Sequence, residues 1–398
     1  MEWSHEQQNA IELCCDTGER IVGITGGAGT GKSSILKEIY SELKKRKRVV
    51  LCAPTGRAAK RIQEVTGITA KTIHRLLEFP MPEDHMDSTE PKRCRQNPLE
   101  EDVIIVDEAS MLGPTLYAQL MGALKGGAAV RFFGDNNQLP PVESLGDRAP
   151  PFKEVLFKYS SIELTFNFRS DDEIVANATR ILRGSVPLRN SRFEIIYKDQ
   201  PLPYALDFLT DEFSREDHQV IVPTRNGKYG TLRINPSLQA RFNGQGPSLR
   251  LDRLTEDAAP LTVRANDKFL WIKNDYNLNM YNGEIGRITD IDTQDGALSL
   301  TMDTREQLVP ARLKTWSSYH MSQISYDPRR QLELGYAVTT HKAQGSEFDT
   351  IVVLICAGHG WMLNRNNFYT AVTRAKKNVI VICDRRAMTL SMNKPRNV

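Results

Sequence analysis

The sequence predicts an α/β protein with two doubly wound parallel sheets, and three observations predict it. Short apolar runs alternate with helical patterns through the first 165 residues, and the alternation returns more loosely after residue 218. The runs are continuously apolar, which is typical of parallel strands that are buried on both faces. A glycine-rich phosphate-loop pattern follows the first run. We therefore expect two α/β domains, at residues 1–165 and 166–398.

The composition is that of an ordinary water-soluble globular protein. Of 398 residues, 40% are hydrophobic and 25% are charged, and the net charge is only +3. A nucleic-acid surface would therefore need its basic residues gathered in a groove. The six cysteines form no CxxC pair, which argues against zinc, iron–sulfur and disulfide frameworks. The amino-terminal segment is polar and no apolar run is long enough for a membrane span, so we expect a cytoplasmic protein with no membrane partner.

In the first domain the apolar runs predict four strands and the segments between them predict helices. The helical patterns are "KSSILKEIYSELKKRK" and "GRAAKRIQEV". The polar, proline-rich residues 79–101 interrupt the alternation and predict an extended hairpin or loop inserted before the third strand. The predicted strands are "RIVGIT" (20–25), "RVVLCA" (48–53), "DVIIVDE" (102–108) and "AVRFFGD" (129–135).

In the second domain, alternating strands and helices flank a segment with a different hydrophobic pattern. The strands are "QVIVPT", "TIVVLIC" and "NVIVIC", and helices are predicted at "YGTLRINPSLQARF" and "NRNNFYTAVTRA". From about residue 262 to about residue 330, apolar residues alternate by two and are separated by Asn-Gly and Asp-Gly turns. This segment therefore predicts a small antiparallel barrel inserted into the second domain.

The stretch "GGAGTGKSS" fits the phosphate-loop pattern G-x-x-x-x-G-K-[ST]. It follows a predicted strand and opens a predicted helix, so its backbone N–H groups and the helix dipole favour a bound phosphate. We expect Lys32 to reach the β- and γ-phosphates of ATP and Ser33 to hold Mg²⁺; a structural glycine turn is the alternative. The expected nucleotide-binding residues of the loop are Gly26, Gly27, Ala28, Gly29, Thr30, Gly31, Lys32, Ser33 and Ser34.

Two further segments supply the groups that hydrolysis needs. The strand in "VIIVDEAS" delivers two carboxylates beside the loop, of which Asp107 would hold Mg²⁺ and Glu108 would orient the attacking water. In "FFGDNNQLPPV" the uncharged amide of Gln138 could contact both the γ-phosphate and that water. A rigid surface loop is the alternative for Gln138.

These motifs, in this order, resemble superfamily 1 helicases, specifically the RecD-like and Dda-like branch called 1B. The resemblance covers nearly the whole chain. The segments that carry it are "WSHEQQNAI" (Q motif), "APTGRAAKRI" and "TIHRLL" (Ia and Ib), "IVDEAS" (II), "GDNNQLPPV" (III), "LTFNFRS" (IV), "VPTRNGKYGTLRIN", "YNGEIGRI", "YAVTTHKAQGSEFD" (V) and "NFYTAVTRAKK" (VI).

The resemblance implies two RecA-like domains with ATP in the cleft between them and 5′→3′ movement on single-stranded DNA. It implies that Gln7 recognises adenine and that Arg169 and Arg374 act as arginine fingers on the phosphates. Gly345 and Glu347 would face the nucleotide from the second domain, and Glu347 would either bond the ribose or tie the two domains together. It also implies that the barrel is SH3-like and that residues 79–101 form a pin, with Phe79 or Met81 as a wedge.

Loops on both domains carry candidate DNA contacts. Backbone amides, hydroxyls and basic groups suit phosphate oxygens and give a grip that is independent of base sequence. Helix caps are the alternative for the threonines, and core positions are the alternative for the two histidines. The candidates are Pro54, Thr55, Gly56, Arg57, Thr72 and His74 in the first domain, with Thr224, Arg225, Asn235, Thr340, His341 and Lys342 in the second.

The leading hypothesis is an ATP- and Mg²⁺-dependent DNA helicase that works as a monomer on single strands and at junctions with duplex. The sequence does not identify its partners among replication, repair or recombination proteins. A translocase that strips proteins from single strands without robust unwinding would use the same motor residues. A slow nucleotide-dependent switch is the third hypothesis. RNA as the bound strand also stays open, since only the resemblance favours DNA.

Overall fold

In the computed structural model, the elements alternate as the sequence predicts. The described residues are 3–80, 90–141, 143, 149–168, 173–212, 218–251, 260–275, 278, 280–302, 305–309, 313–317 and 322–394. Their helices are α1 (His5–Cys15), α2 (Lys32–Lys44), α3 (Gly56–Thr66), α4 (Ile73–Leu76), α5 (Pro114–Gly122), α6 (Pro151–Lys158), α7 (Glu173–Leu182), α8 (Pro201–Glu212), α9 (Thr231–Phe242), α10 (Thr340–Ala343), α11 (Arg365–Val372) and α12 (Arg385–Ser391). Their strands are β1 (Ile21–Gly26), β2 (Val49–Ala53), β3 (Ala70–Thr72), β4 (Val103–Val106), β5 (Ala129–Gly134), β6 (Ser160–Leu164), β7 (Phe193–Tyr197), β8 (His218–Val222), β9 (Ser248–Leu251), β10 (Leu261–Arg264), β11 (Lys268–Trp271), β12 (Ile285–Ile291), β13 (Leu298–Met302), β14 (Arg305–Val309), β15 (Leu313–Ser317), β16 (Ser322–Tyr326), β17 (Leu332–Leu334), β18 (Ala337–Thr339), β19 (Phe348–Ile355) and β20 (Ala375–Cys383).

The first sheet is parallel throughout, with the strand order β3-β2-β4-β5-β1-β6. Every residue of β1, β4 and β5 is buried, as expected of largely apolar strands inside a parallel sheet. One apolar layer packs α1, α2 and α3 on one face, and a second packs α4, α5 and α6 on the other. The doubly wound fold places the carboxyl ends of β1, β4 and β5 side by side, where a ligand site is expected.

The second sheet is also parallel, with the order β18-β8-β19-β20-β7. Side chains of α7, α11 and α12 pack on one face, while those of α8 and α9 pack on the other. The prediction of an α/β fold with parallel sheets is confirmed. The predicted boundary between residues 165 and 166 falls between β6 and α7, and it stays a prediction.

An antiparallel sheet lies in the chain between β8 and β18. Its strand order is β14-β13-β12-β11-β17, and its apolar core includes Phe269 and Trp271, which are fully buried. The β9–β10 and β15–β16 pairs are separate antiparallel two-stranded sheets. The period-two alternation in the sequence therefore produces antiparallel strands, as predicted.

The predicted pin falls partly on residues that the structure describes. Residues 81–89, which include Met81, lie outside the described residues. Phe79 is half-buried against the apolar core, and its ring centroid lies 4.9 Å from that of His74. Phe79 is therefore a packing residue here and does not project as a wedge.

Among the described residues, no helix is both long enough and apolar enough to cross a membrane.

Candidate active site

The phosphate loop connects β1 to α2 and turns sharply at two glycines. Gly29 and Gly31 have φ angles of +84° and +80°, a region that side-chain-bearing residues rarely adopt. A Cβ on Gly31 would also lie 2.4 Å from Gln7 Nε2. The ammonium of Lys32 donates to the carbonyl oxygens of Gly26 (2.6 Å) and Gly27 (2.9 Å). The loop therefore curves around the amino terminus of α2, whose positive dipole end favours an anion.

One cavity of about 740 Å³ brings together candidate residues from both sheets. The loop, together with Asp107, Glu108 and Gln138, lines it from the first sheet. Among the residues that line it from the second half of the chain are the candidates Gly345, Glu347 and Arg374. Lys32 and Arg374, although far apart in the chain, thus face the same cavity.

Two carboxylates meet at the end of β4. Asp107 is buried, and its Oδ1 accepts the backbone N–H of Glu108 at 2.8 Å. Burial, and then the charge of Glu108, raise the pKa of Asp107. Glu108 itself has a φ of +52°, a conformation that costs a residue with a side chain about 1–3 kcal/mol. This turn directs Glu108 into the cavity, so local strain is stored at the site.

The residues present fit a magnesium ion. Mg²⁺ prefers oxygen ligands, and the Ser33 hydroxyl and the Asp107 carboxylate both border the cavity. Burial and repulsion from Glu108 disfavour the charged form of Asp107, and a divalent cation would offset both effects.

Arg374 follows α11 and its guanidinium is almost completely buried, with 5% of the residue exposed. Nε donates to the carbonyl of Thr370 at 3.1 Å, and one terminal nitrogen donates to Thr373 Oγ1 at 3.2 Å. The carboxyl-terminal end of α11 and Thr373 directly after it therefore fix the plane of the guanidinium against the cavity. The other expected arginine finger, Arg169, lies outside the described residues.

Gln7 lies behind the phosphate loop and is not among the described residues that line the cavity. Its Oε1 accepts the backbone N–H of Ser4 at 3.1 Å, and its Nε2 donates to the carbonyl of Thr30 at 3.3 Å. In this arrangement Gln7 helps to cap the amino terminus of α1 and supports the phosphate loop. A contact with adenine stays a prediction.

Glu347 forms an ion pair across the two halves, with 2.5 Å between its Oε2 and Arg61 Nη2. Of the two roles that the sequence left open, this geometry is that of a tie between the domains. Both side chains border the cavity, so a ribose contact for Glu347 also remains a prediction.

Candidate DNA contacts in the first domain are largely engaged within the protein. The hydroxyls of Thr55 and Thr72 cap α3 and α4, the alternative that the sequence left open. The guanidinium of Arg57 donates to the carbonyl of Gly283, and Gly56 packs under the ring of Tyr281. Pro54 is buried beside them. We call residues 281–284 the barrel turn, after the barrel that the sequence predicts for this segment.

In the second domain, two of the candidates are structural. Asn235 is buried, donates to the carbonyls of Leu334 and Ala337, and accepts the N–H of Ala337. Thr340 is buried, and its hydroxyl donates to Asn367 Oδ1 at 2.8 Å. These polar groups therefore satisfy partners inside the domain, and DNA binding by the two side chains stays a prediction.

The remaining candidates differ in exposure. Arg225 is exposed and pairs with Glu333 at 2.8 Å, while Lys342 Nζ donates to Asn282 Oδ1 of the barrel turn at 2.7 Å. The Thr224 hydroxyl donates to the carbonyl of Asn226 at 3.2 Å. Burial lowers the pKa values of His74 and His341, which fits the core alternative for both.

Sequence reasoning missed several polar side chains at the interface between the two halves. The hydroxyl of Tyr369 donates to Asp135 Oδ2 at 2.7 Å, and Thr370 Oγ1 accepts the N–H of Leu139 at 2.9 Å. Gln344 Nε2 donates to the carbonyl of Leu139 at 3.0 Å. The only signal was their presence inside two motif segments, because their partners lie far away in the chain.

Two family models match the chain. One describes an AAA domain and matches residues 7–144. The other describes a UvrD-like helicase C-terminal domain and matches residues 334–382. The first matched segment contains the phosphate loop, Asp107, Glu108 and Gln138, and the second contains Gly345, Glu347 and Arg374.

Curated relatives align with nearly the whole chain. An ATP-dependent RecD2 DNA helicase of Deinococcus radiodurans is 35% identical over an alignment of 383 residues that covers 94% of this chain. A RecBCD enzyme subunit RecD of Mycolicibacterium smegmatis is 29% identical and covers 95% of it. The alignment spans 48% of the length of the first relative and 70% of the second.

Solved structures with a similar fold include Pif1 helicases. One, of Pif1 helicases at forked double-stranded DNA, has a TM-score of 0.63 and 23% identity, covering 100% of this chain and 95% of that one. Another, of Pif1 from Bacteroides with ADP-AlF3 and single-stranded DNA, has a TM-score of 0.62 and 22% identity over the same shares. At this identity the likeness concerns the fold.

Proposed function

Because the chain belongs to the RecD-like branch of the superfamily 1B helicases, we propose that it is an ATP-dependent DNA helicase. One observation carries the proposal. Lys32 of the phosphate loop and Arg374 of the second half border a single cavity, together with two carboxylates and a glutamine. A nucleotide held from both sides links hydrolysis to the relative movement of the two halves.

The proposed chemistry assigns one task to each side chain. The loop amides and Lys32 hold the β- and γ-phosphates, and Glu108 polarises the attacking water. Gln138 contacts the γ-phosphate and the water without adding charge, and Arg374 neutralises the charge that develops in the transition state. Ser33 and Asp107 would hold Mg²⁺, which when bound supplies charge neutralisation at the phosphates.

We further propose 5′→3′ movement on single-stranded DNA, with the two halves as RecA-like domains that grip the strand alternately. Opening one base-pair step costs roughly 1.4 kcal/mol, which one ATP hydrolysis easily supplies. The candidates that remain for the grip are the loops carrying Arg57, Arg225 and Lys342. These are basic groups that suit phosphate oxygens, and ssDNA and ss/ds junctions are the expected substrates.

Two insertions would adapt this motor to duplex DNA. The antiparallel sheet that includes β11 to β13 is the candidate SH3-like barrel, and residues 79–101 are the candidate pin that separates the strands. The barrel turn supports the first assignment, since it reaches Arg57 on one half and Lys342 on the other. We propose a monomeric motor that serves DNA replication, repair or recombination.

The test offers forked duplexes that carry only a 5′ or only a 3′ single-stranded tail, with ATP and Mg²⁺. We expect unwinding of the 5′-tailed fork alone, measured by release of a fluorescent strand. The Lys32→Ala variant is the matched control and should be inactive, because it lacks the phosphate contact.

The other outcomes have distinct meanings. Exclusive use of the 3′ tail would contradict the proposed polarity. ATP hydrolysis with displacement of a bound protein but no strand release would indicate the translocase alternative. No DNA-stimulated hydrolysis would overturn the proposal, and equal stimulation by RNA would overturn the choice of DNA.

A further inference from the structure

The segment that carries Gln138 is held from the opposite half of the molecule. Side chains of the second half bond both backbone polar groups of Leu139. Its N–H donates to Thr370 Oγ1 at 2.9 Å, and its carbonyl accepts from Gln344 Nε2 at 3.0 Å. On the other side of Gln138, the carbonyl of Asn137 accepts from Asn366 Nδ2 at 2.8 Å. The backbone that aims Gln138 is therefore fixed from both flanks by the second half.

The first half contributes less to the hold on this segment. Asn136 N–H donates to Thr25 Oγ1 at 3.1 Å, and the N–H groups of Asn137 and Gln138 bond back to Asp135. Asp135 is in turn bonded by Tyr369 of the second half, at 2.7 Å. These bonds hold a local turn. The direction of the backbone at residues 138 and 139 is instead set by the contacts with the second half.

The Gln138 amide is poised for a further partner. Gln138 is 7% exposed and borders the cavity, and its Oε1 has no hydrogen-bond partner within the described part of the chain. A buried amide oxygen without a partner is costly, so a ligand or water at this position is favoured. Thr370, by contrast, is fully buried and is not among the described residues lining the cavity. Any effect of its hydroxyl on the site must therefore pass through the protein.

We infer that Thr370 and Gln344 are positioning residues that aim the Gln138 amide into the cavity only when the two halves are in contact. Gln344 directly follows α10, whose residues include Lys342, so a strand bound at Lys342 would bear on the same segment. Binding of a nucleic-acid strand at Lys342 would thus be linked to the hydrolytic site through Gln344 and Leu139. The inference rests on the proposed function, since it concerns how that reaction is switched on.

The test uses Thr370→Val, which keeps the shape of the side chain but removes the acceptor of Leu139 N–H. We expect a roughly tenfold lower kcat for DNA-stimulated hydrolysis with the KM for ATP within about twofold, because misplaced groups cost rate more than binding. Thr370→Ser should restore kcat, since it keeps the hydroxyl.

A matched control is Thr66→Val in α3. Thr66 is buried too, and its Oγ1 also accepts a backbone N–H, that of Ile68 at 3.1 Å, but within one half. This variant should lose a similar amount of thermal stability and keep its kcat.

A double-mutant cycle with Gln138→Ala separates positioning from general damage. If Thr370 acts through Gln138, Thr370→Val should cause no further loss in the Gln138→Ala background. An equal fold-loss in both backgrounds, or an equal loss in Thr66→Val, would overturn the inference. Should Thr370→Val not melt cooperatively, Gln344→Met is judged by the same criteria. A wild-type chain without DNA-stimulated hydrolysis would instead overturn the proposed function.

Discussion

At the scale of single residues, the buried guanidinium of Arg374 is bonded by Thr370 in the last turn of α11 and by Thr373 directly after that helix. We expect Arg374→Ala to bind a fluorescent ATP analogue nearly as well as wild type. Its DNA-stimulated hydrolysis should fall about a thousandfold or more, because the transition-state charge loses its partner.

The matched control for that variant is Arg365→Ala. Arg365 lies on the same helix, and its Nε bonds the carbonyl of Met392 at 2.5 Å, outside the cavity. It should change thermal stability without a comparable change in turnover. Near-normal hydrolysis by Arg374→Ala would contradict the assigned role.

Glu108 combines backbone strain with repulsion between carboxylates. Asn tolerates a positive φ better than Glu, and Glu108→Asn also removes the charge beside Asp107. We expect the nucleotide-free variant to gain about 1 kcal/mol in free energy of unfolding, measured by urea titration. Hydrolysis should fall by about a hundredfold or more, since no carboxylate orients the water. A variant that is both less stable and active would contradict the assignment.

His359 makes stability depend on pH. Its Nε2–H donates to the carbonyl of Tyr229 and its Nδ1 accepts the N–H of Cys356, so the ring is held neutral. Burial lowers its pKa from the usual 6.5. As the pH falls from the usual value of 6.5 towards the lowered pKa of the folded state, the unfolded state binds a proton that the folded state does not, so stability falls with pH over that window.

The measurement compares wild type with His359→Gln by urea unfolding between about pH 7.5 and about pH 5.5. Other titrating groups are shared by the two proteins and cancel in the difference. We expect the stability advantage of the wild type to shrink as pH falls. A difference that stays constant across this range would refute the histidine explanation.

At the scale of elements, the barrel turn and α3 meet with no space between them. A Cβ on Gly56 would lie 2.4–2.7 Å from atoms of Tyr281, including its Cβ, so rotation of the ring alone cannot relieve the clash. We expect Gly56→Ala to lower the free energy of unfolding by about 1–3 kcal/mol. In a Tyr281→Ala background the same change should cost much less, as thermal melts would show. An equal loss of stability in both backgrounds would mean that the barrel turn and α3 separate without a large loss of free energy.

The strands that were predicted from the sequence share one physical property. Those at the centre of the first sheet are buried on both faces, and a continuous apolar run reports that directly. The edge strand β6 has the mixed sequence "SSIEL" with a partly exposed pattern, and it was not predicted. The short β3 and β18 were also missed, since three residues carry no periodicity.

The candidate site divides in the same way. Lys32 and Asp107 were found because local chain geometry, a strand end or a helix start, sets their positions. The contacts of Thr370 and Gln344 with Leu139 depend on how two separate sheets meet, which no local pattern contains. The buried partners of Asn235 and Thr340 were not predicted, because a polar side chain in a motif looks the same in the sequence whether it faces solvent or bonds a buried group.

At the scale of the whole molecule, the two halves differ in the sequence distance between paired strands. The first sheet is complete once β6 has formed. In the described part of the second sheet, β7 pairs with β20, and β8 pairs with β18 and β19, and all of these partners lie beyond the antiparallel insertion in the chain. Pairing over such distances closes long loops and is slow.

This arrangement has a consequence for biosynthesis. As the polypeptide leaves the ribosome, the amino-terminal sheet can form while the partner strands of β7 and β8 have not yet been synthesised. These two apolar strands are then exposed to aggregation or to binding by chaperones. In refolding followed by pulsed deuterium labelling, amides of β1, β4 and β5 should gain protection before those of β7 and β8. Simultaneous protection of both sets would mean that the two sheets mature as one cooperative unit.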